Sequence, residues 1–180
     1  YHHAGRQGLQ PGFAEPQDAL TRLADYRFCP QCGSALGRRD EGGLARPACA
    51  VADCDFVLWE NPVPVVAALV EYAGQIVLAR NAAWPEKQFG LITGYLERDE
   101  TPDAAVAREV AEELGLSAQS VSLIGLYNFA PKNQLIIAYH VLASGQIVLN
   151  EELAEFKLIE PSKLKAWEFG TGPAVRDWLA

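Results

Sequence analysis

The sequence predicts an α+β chain: a mixed-sheet α/β/α sandwich preceded by a small cysteine-built module. Two observations predict it. All four cysteines fall between residues 29 and 54. After Pro62, short β-rich runs flank a single well-capped helix, the pattern of a sheet with inserted helices. The 180 residues are 49% apolar and 21% charged, enough for one globular domain plus a small module and unlike a disordered or fibrous chain. The organisation expected is a segment 1–26 of no assigned role, a module 27–60 and a domain 61–180.

The front module rests on Cys29-Pro-Gln-Cys32-Gly33 and Cys49-Ala-Val-Ala-Asp-Cys54. Two such knuckles suit one tetrahedral zinc ion, because each turn presents two thiolates to it. Gly33 can take the positive φ that such a turn requires. Two disulfides or free thiols are the alternative. No apolar stretch behind a basic start reads as a secretory signal, so reduced thiols, zinc and a cytoplasmic location are expected. With four protein ligands the zinc would be structural. Four basic residues (Arg27, Arg38, Arg39, Arg46) balance four acidic ones (Asp40, Glu41, Asp53, Asp55) there, leaving little electrostatic reason to bind nucleic acid. The chain begins at Tyr1 without any methionine, so a truncated or processed N-terminus is expected, and His2 and His3 carry no weight. Ahead of the module only Asp18–Asp25 reads as helical.

In the second domain, Val65–Val70 and Gln75–Ala79 read as a hairpin about Ala73-Gly74. Further strands are expected at Val121–Tyr127, Leu135–Leu142 and Gln146–Leu149, and short helices at Pro161–Trp167 and Pro173–Leu179. The central helix, Pro102–Leu114, has Thr101 as N-cap, proline at its first position and Gly115 as its left-handed end. Val106, Ala107, Val110 and Leu114 form its sheet-facing stripe, with Glu109, Glu112 and Glu113 expected on the other side. Three neighbouring carboxylates repel one another. They read either as a solvated acidic face or as ligands for a hard cation such as magnesium, which keeps waters for substrate phosphates.

The chain carries 23 acidic against 15 basic residues, a formal charge of −8, which argues against a nucleic-acid scaffold. No run of about 18 apolar residues exists to cross a membrane.

Gly94, Glu100, Arg108-Glu109-Val110, Glu112-Glu113 and Gly115-Leu116 stand at the spacing Gly, five residues, Glu, seven residues, Arg-Glu-apolar-any-Glu-Glu-any-Gly-apolar. This resembles the Nudix box at every fixed position. With the cysteine module in front, the stretch from about Phe28 to Ala180 is similar to the NADH pyrophosphatase-like branch of the Nudix hydrolases. The resemblance implies magnesium- or manganese-dependent cleavage of nucleoside diphosphate conjugates such as NAD(H), ADP-ribose or FAD, by water attack at phosphorus. It implies Glu109 and Glu113 as main metal ligands, Glu112 as a further one, and Arg108 and Glu100 as the groups that hold them. Glu152, from the downstream Glu-Leu-Ala-Glu, is the implied additional ligand or base, with Glu155 and Glu151 in reserve. Tyr95 is the implied base-stacking aromatic, and Phe89 is a further substrate-binding candidate; for Phe89, Tyr127 and Phe129 alike core packing is the preferred reading, and His140 reads as a structural histidine.

One departure stands out. The branch's Ser-Gln-Pro-Trp-Pro-Phe-Pro signature is replaced by Tyr127-Asn-Phe-Ala-Pro-Lys-Asn-Gln134, so the reaction type carries over more safely than NADH as substrate. A non-hydrolytic nucleotide-sensing regulator would show degraded box glutamates and a basic module, which this sequence lacks. Decapping of NAD-capped RNA is a further enzymatic possibility, opposed by the acidic charge. Resemblance also implies a homodimer.

Overall fold

A computed structural model describes residues 26–180; His2, His3 and the Asp18–Asp25 helix candidate lie outside them. The chain divides into two compact units, one ending at Glu60 and one running from Asn61 to Ala180.

In the first unit, β1 (Leu36–Glu41) and β2 (Leu44–Cys49) form an antiparallel hairpin between the two cysteine turns. Neither strand follows from the sequence pattern, because almost every side chain is at least partly exposed and no apolar alternation marks them.

The second unit contains β3 (Val63–Tyr72), β4 (Gln75–Asn81), β5 (Ile92–Tyr95), α1 (Pro102–Leu114), β6 (Ser117–Phe129), β7 (Gln134–Ser144), β8 (Leu153–Ile159) and α2 (Gly172–Leu179). Its sheet runs β6-β7-β3-β4-β8. On its other side β3 is shared: β5 pairs with Val65–Ala68 and β4 with Val70–Tyr72. β3 and β7 are parallel, so the sheet is mixed. Ten residues long and largely buried, β3 is the middle of the core. Its alternate residues feed two layers: Val66, Ala68 and Val70 pack under α1, while Ala67 and Leu69 face the side that holds Ala174 and Val175 of α2. The unit is therefore an α/β/α sandwich.

The β3–β4 turn has positive φ at both Ala73 and Gly74, the two-residue geometry that matches strand twist. Gly115 ends α1 in the left-handed conformation, as its position implies. Thr101 sits extended at the N-cap without a capping bond. Its hydroxyl instead serves the Asp103 carboxyl, which it holds below the usual carboxylate range.

Several expectations are corrected. Gln146–Leu149 is not a strand, because its backbone donors serve the helix end: Val148 N–H bonds the Leu114 carbonyl and Asn150 N–H the Glu113 carbonyl. The helix expected over Pro161–Trp167 is only a 3-10 turn, Pro161–Lys163, since Leu164 leaves it extended to bury its side chain near Leu69, Ile76 and Val175. β5 is too short for any periodicity to reveal, and β8 is an edge strand whose exposed charges break the alternation. β6 is longer than expected and carries two register shifts.

Candidate active site

The site assembles where β5, the loop after it and α1 meet. β5 places Gly94 opposite Val66, on the α1 side of the sheet. A Cβ built at Gly94 would overlap the Glu109 carboxylate, so a bare backbone is what admits that side chain. The loop then closes on itself. Glu97 N–H donates to Glu100 Oε2 at 3.3 Å, and Asp99 adopts a left-handed φ of 62°, which a short acidic side chain tolerates.

Arg108 ties these parts together. Its Nε and Nη2 donate to both oxygens of Glu100 at 2.9 and 3.0 Å, a planar two-point contact. Its Nη1 donates to Glu109 at 2.7 Å and to Glu112 at 3.0 Å, and its Nη2 reaches the Tyr95 carbonyl at 3.2 Å. One guanidinium thus fixes three carboxylates and the end of β5. The Arg108 bonds hold the Glu100 carboxyl below its usual range. Glu109 moves the other way: burial outweighs its bond to Arg108 and raises it.

Glu113 is the outlier. The sequence pattern put it on the open side of α1, yet it is only 7% exposed. At about 100° per residue it projects between Glu109 and Val106, inside the arc that faces the sheet. Among the described residues no hydrogen-bond donor or cation is paired with its carboxyl. Burial first, then the charges of Glu109, Glu152 and Glu112, push it up to about 8. A buried carboxylate without a partner, among other carboxylates, is a place where a cation relieves repulsion.

Glu152, although exposed, faces the same place. It lines a pocket with Glu113, Ala79, Asn81, Trp84, Leu91, Thr93 and Leu153. Of the reserves, Glu155 is paired with Arg80 at 3.6 Å and Glu151 lies exposed. Glu109, Glu112, Glu113 and Glu152 are oxygen donors of the type a hard divalent cation takes, but among the described residues only the four cysteines bring three or more ligand atoms within 4.8 Å of one another.

The aromatic residues lie apart. Tyr95 gives its carbonyl to Arg108, while its hydroxyl accepts from Gln134 Nε2 at 3.5 Å. Phe89 lies under Lys157, whose Nζ is 3.7 Å from the ring centroid. Tyr127 and Phe129 pack on Ile136 and Ala138, and the Tyr127 hydroxyl donates to Asp177 at 2.7 Å. His140 bonds Glu71 at 2.9 Å with its ring near Trp178, a structural environment. Sequence reasoning missed Asn81, at the end of β4, and Trp84, in the loop after it, both outside any motif.

In the first unit, the four Sγ atoms all lie within 4.8 Å of one another, with Cys29–Cys54 at 3.7 Å and Cys32–Cys49 at 3.5 Å. A zinc tetrahedron with Zn–S of about 2.3 Å has sulfurs about 3.8 Å apart, so these thiols fit one. Gly33, with φ of 73°, turns the first knuckle, its N–H bonding the Cys29 carbonyl. Ser34 N–H lowers Cys32 to about 6. The Phe56 amide pulls Cys54 down, but burial and the other thiols push it up to about 12. Four crowded sulfurs cannot all ionise without a cation.

Residues 61–178 match the model of the NUDIX domain. The chain is 40% identical over 80 residues to the NAD-capped RNA hydrolase NudC of Mycobacterium tuberculosis (strain H37Rv), covering 44% of this chain and 26% of that protein. It is 29% identical over 137 residues to NudC of Stutzerimonas stutzeri, covering 75% of this chain and 48% of that protein. The chain thus spans about half or less of the curated relatives it matches. Among solved structures, a NUDIX hydrolase from Nitrosomonas europaea superposes with a TM-score of 0.67 at 24% identity, covering 77% of this chain and 80% of that one, a likeness of fold. With the sandwich in place, the box on α1 and the family model spanning residues 61–178, the chain belongs to the NUDIX family.

Proposed function

We propose that the chain is a metal-dependent pyrophosphohydrolase of the zinc-ribbon, NADH pyrophosphatase-like kind. It cleaves the diphosphate of nucleoside conjugates such as NAD(H), ADP-ribose and FAD, with water attacking phosphorus. The observation that carries this reading is Glu113: buried, unpaired and raised, beside Glu109 and facing the same pocket as Glu152. Glu109, Glu112, Glu113 and Glu152 would hold magnesium or manganese. When bound, such an ion neutralises the diphosphate and makes its water more acidic. Arg108 keeps Glu109 and Glu112 from turning away, and Glu100 keeps Arg108 in place. Glu152, on an irregular segment, would serve either as a further ligand or as the general base. Tyr95 would stack on the substrate base, with Phe89 a lesser contributor.

The same proposal takes residues 27–60 as a zinc ribbon with structural Zn2+ on Cys29, Cys32, Cys49 and Cys54, and 61–180 as the catalytic domain. It takes the protein to be cytoplasmic and a homodimer. A panel of NAD+, NADH, ADP-ribose and FAD with magnesium or manganese, read by mononucleotide release, tests the activity; no turnover on any member refutes it. The names of the curated relatives favour a second reading, removal of the cap from NAD-capped RNA. The charge of −8 opposes it, and comparing turnover of free NAD with a short capped RNA separates the two.

A further inference from the structure

Of the loop between β4 and β5, only Phe89 has been given a role, yet its Trp84 lines the acidic pocket. β4 has a bulge between Arg80 and Asn81, a device that re-aims a strand end beside a site. From there the loop is built residue by residue. Asn81 Oδ1 accepts from Ala83 N–H at 2.9 Å, and Trp84 N–H bonds the Asn81 carbonyl at 2.9 Å. Ala82 N–H bonds the carbonyl of Glu152 itself at 2.7 Å. The loop carrying Trp84 is therefore tied to the segment carrying the pocket carboxylate.

Trp84 is only partly buried and lines the pocket with Glu113 and Glu152. The benzo edge of the ring closes over Gly90: a Cβ there would lie 3.2 Å from Trp84 Cζ3 and 3.3 Å from Cη2. The remaining lining is apolar or neutral, with Ala79, Leu91 and Leu153 as its floor. No Lys, Arg or His lines it, so it offers a diphosphate no cation of its own. What it offers is a tryptophan beside the carboxylates.

We propose that Trp84 is a substrate-specificity residue: its indole is the platform on which an aromatic ring of the substrate stacks while the diphosphate lies against the glutamates. This rests on the pyrophosphohydrolase reading and adds that the substrate class carries a planar ring on the half nearest Glu113 and Glu152. At position 90 a side chain would crowd the indole by a few tenths of an ångström, and the bulge and the Ala82–Glu152 bond tie the loop to the segment that carries Glu152.

The test uses the full chain with magnesium and three variants, Trp84→Phe, Trp84→Ala and Gly90→Ala. NADH turnover is measured, together with calorimetric binding of its two halves, AMP and nicotinamide mononucleotide. Stacking on one aromatic is worth about 1–3 kcal/mol, so Trp84→Ala should weaken binding of at least one half about tenfold or more, and raise KM far more than it lowers kcat. Trp84→Phe should restore most of that loss. Gly90→Ala should shift the same constants in the same direction, because its methyl displaces the indole. Unchanged binding of both halves in Trp84→Ala, or an equal loss in Trp84→Phe, overturns the assignment while leaving the hydrolase reading standing if the wild type turns over NADH. A wild-type chain that neither binds the halves nor cleaves NADH overturns both.

Discussion

Replacing Gly94 by alanine adds one methyl group at a defined point. Gly94 is not among the glycines of positive φ and lies in a strand, so alanine brings no backbone strain. The whole effect falls on the Glu109 carboxylate, which the new Cβ would overlap. Glu109 has to swing out and break its 2.7 Å bond from Arg108. A hydrogen bond to a charged group is worth about 1.5–3 kcal/mol, and each 1.4 kcal/mol is about tenfold. We expect Gly94→Ala to lose about ten- to a hundredfold or more in kcat/KM and to bind magnesium or manganese correspondingly more weakly, with a small loss of melting temperature. The assays are NADH or ADP-ribose turnover, calorimetric metal titration and a thermal melt. A variant within about threefold of wild type in both turnover and metal affinity would refute the reasoning, since Glu109 would then not be needed where the structure places it.

Glu113→Gln should abolish most turnover yet raise the stability of the metal-free chain. The raised Glu113 group means that metal-free wild type loses stability as pH climbs from about 4.5 through about 8, while glutamine does not titrate. The gap should be near zero at pH 4 and, at 1.36 kcal/mol per pKa unit, reach about 3 kcal/mol by pH 7, visible in melts with chelator; a gap that fails to widen with pH contradicts the burial argument. Arg108→Lys should cut turnover about tenfold or more, because one ammonium cannot hold Glu100, Glu109 and Glu112 together, and kcat/KM measurement checks it. Cys29→Ser should release zinc, detected with a metal indicator dye, and destabilise residues 27–60 before the NUDIX unit; retention of zinc at wild-type affinity would contradict a four-thiolate site.

Much of the arrangement was legible in the chain itself. The spacing from Gly94 to Leu116 fixed which side chains share one loop and one helix, and Pro102 and Gly115 marked the helix ends. The cysteine knuckles announced their cluster, since each pair is local in sequence. Local order is what a sequence encodes most directly, because caps, turns and periodicity depend on residues a few positions apart.

Tertiary structure alone decided the rest. Helical spacing already sets Glu113 inside the sheet-facing arc of α1, but the packing of α1 on β3 and β5 is what leaves its carboxylate buried and without a partner. Gly94 matched a motif, but the cause of its identity is the Glu109 carboxylate, 15 positions away, reaching the space where its side chain would stand. Glu152 and Trp84 line one pocket, and the Ala82 N–H bond to the Glu152 carbonyl ties their two segments together, which no local pattern records. Burial and charge–charge distance arise from contacts between distant segments, and those exist only once the sheet has brought the segments together.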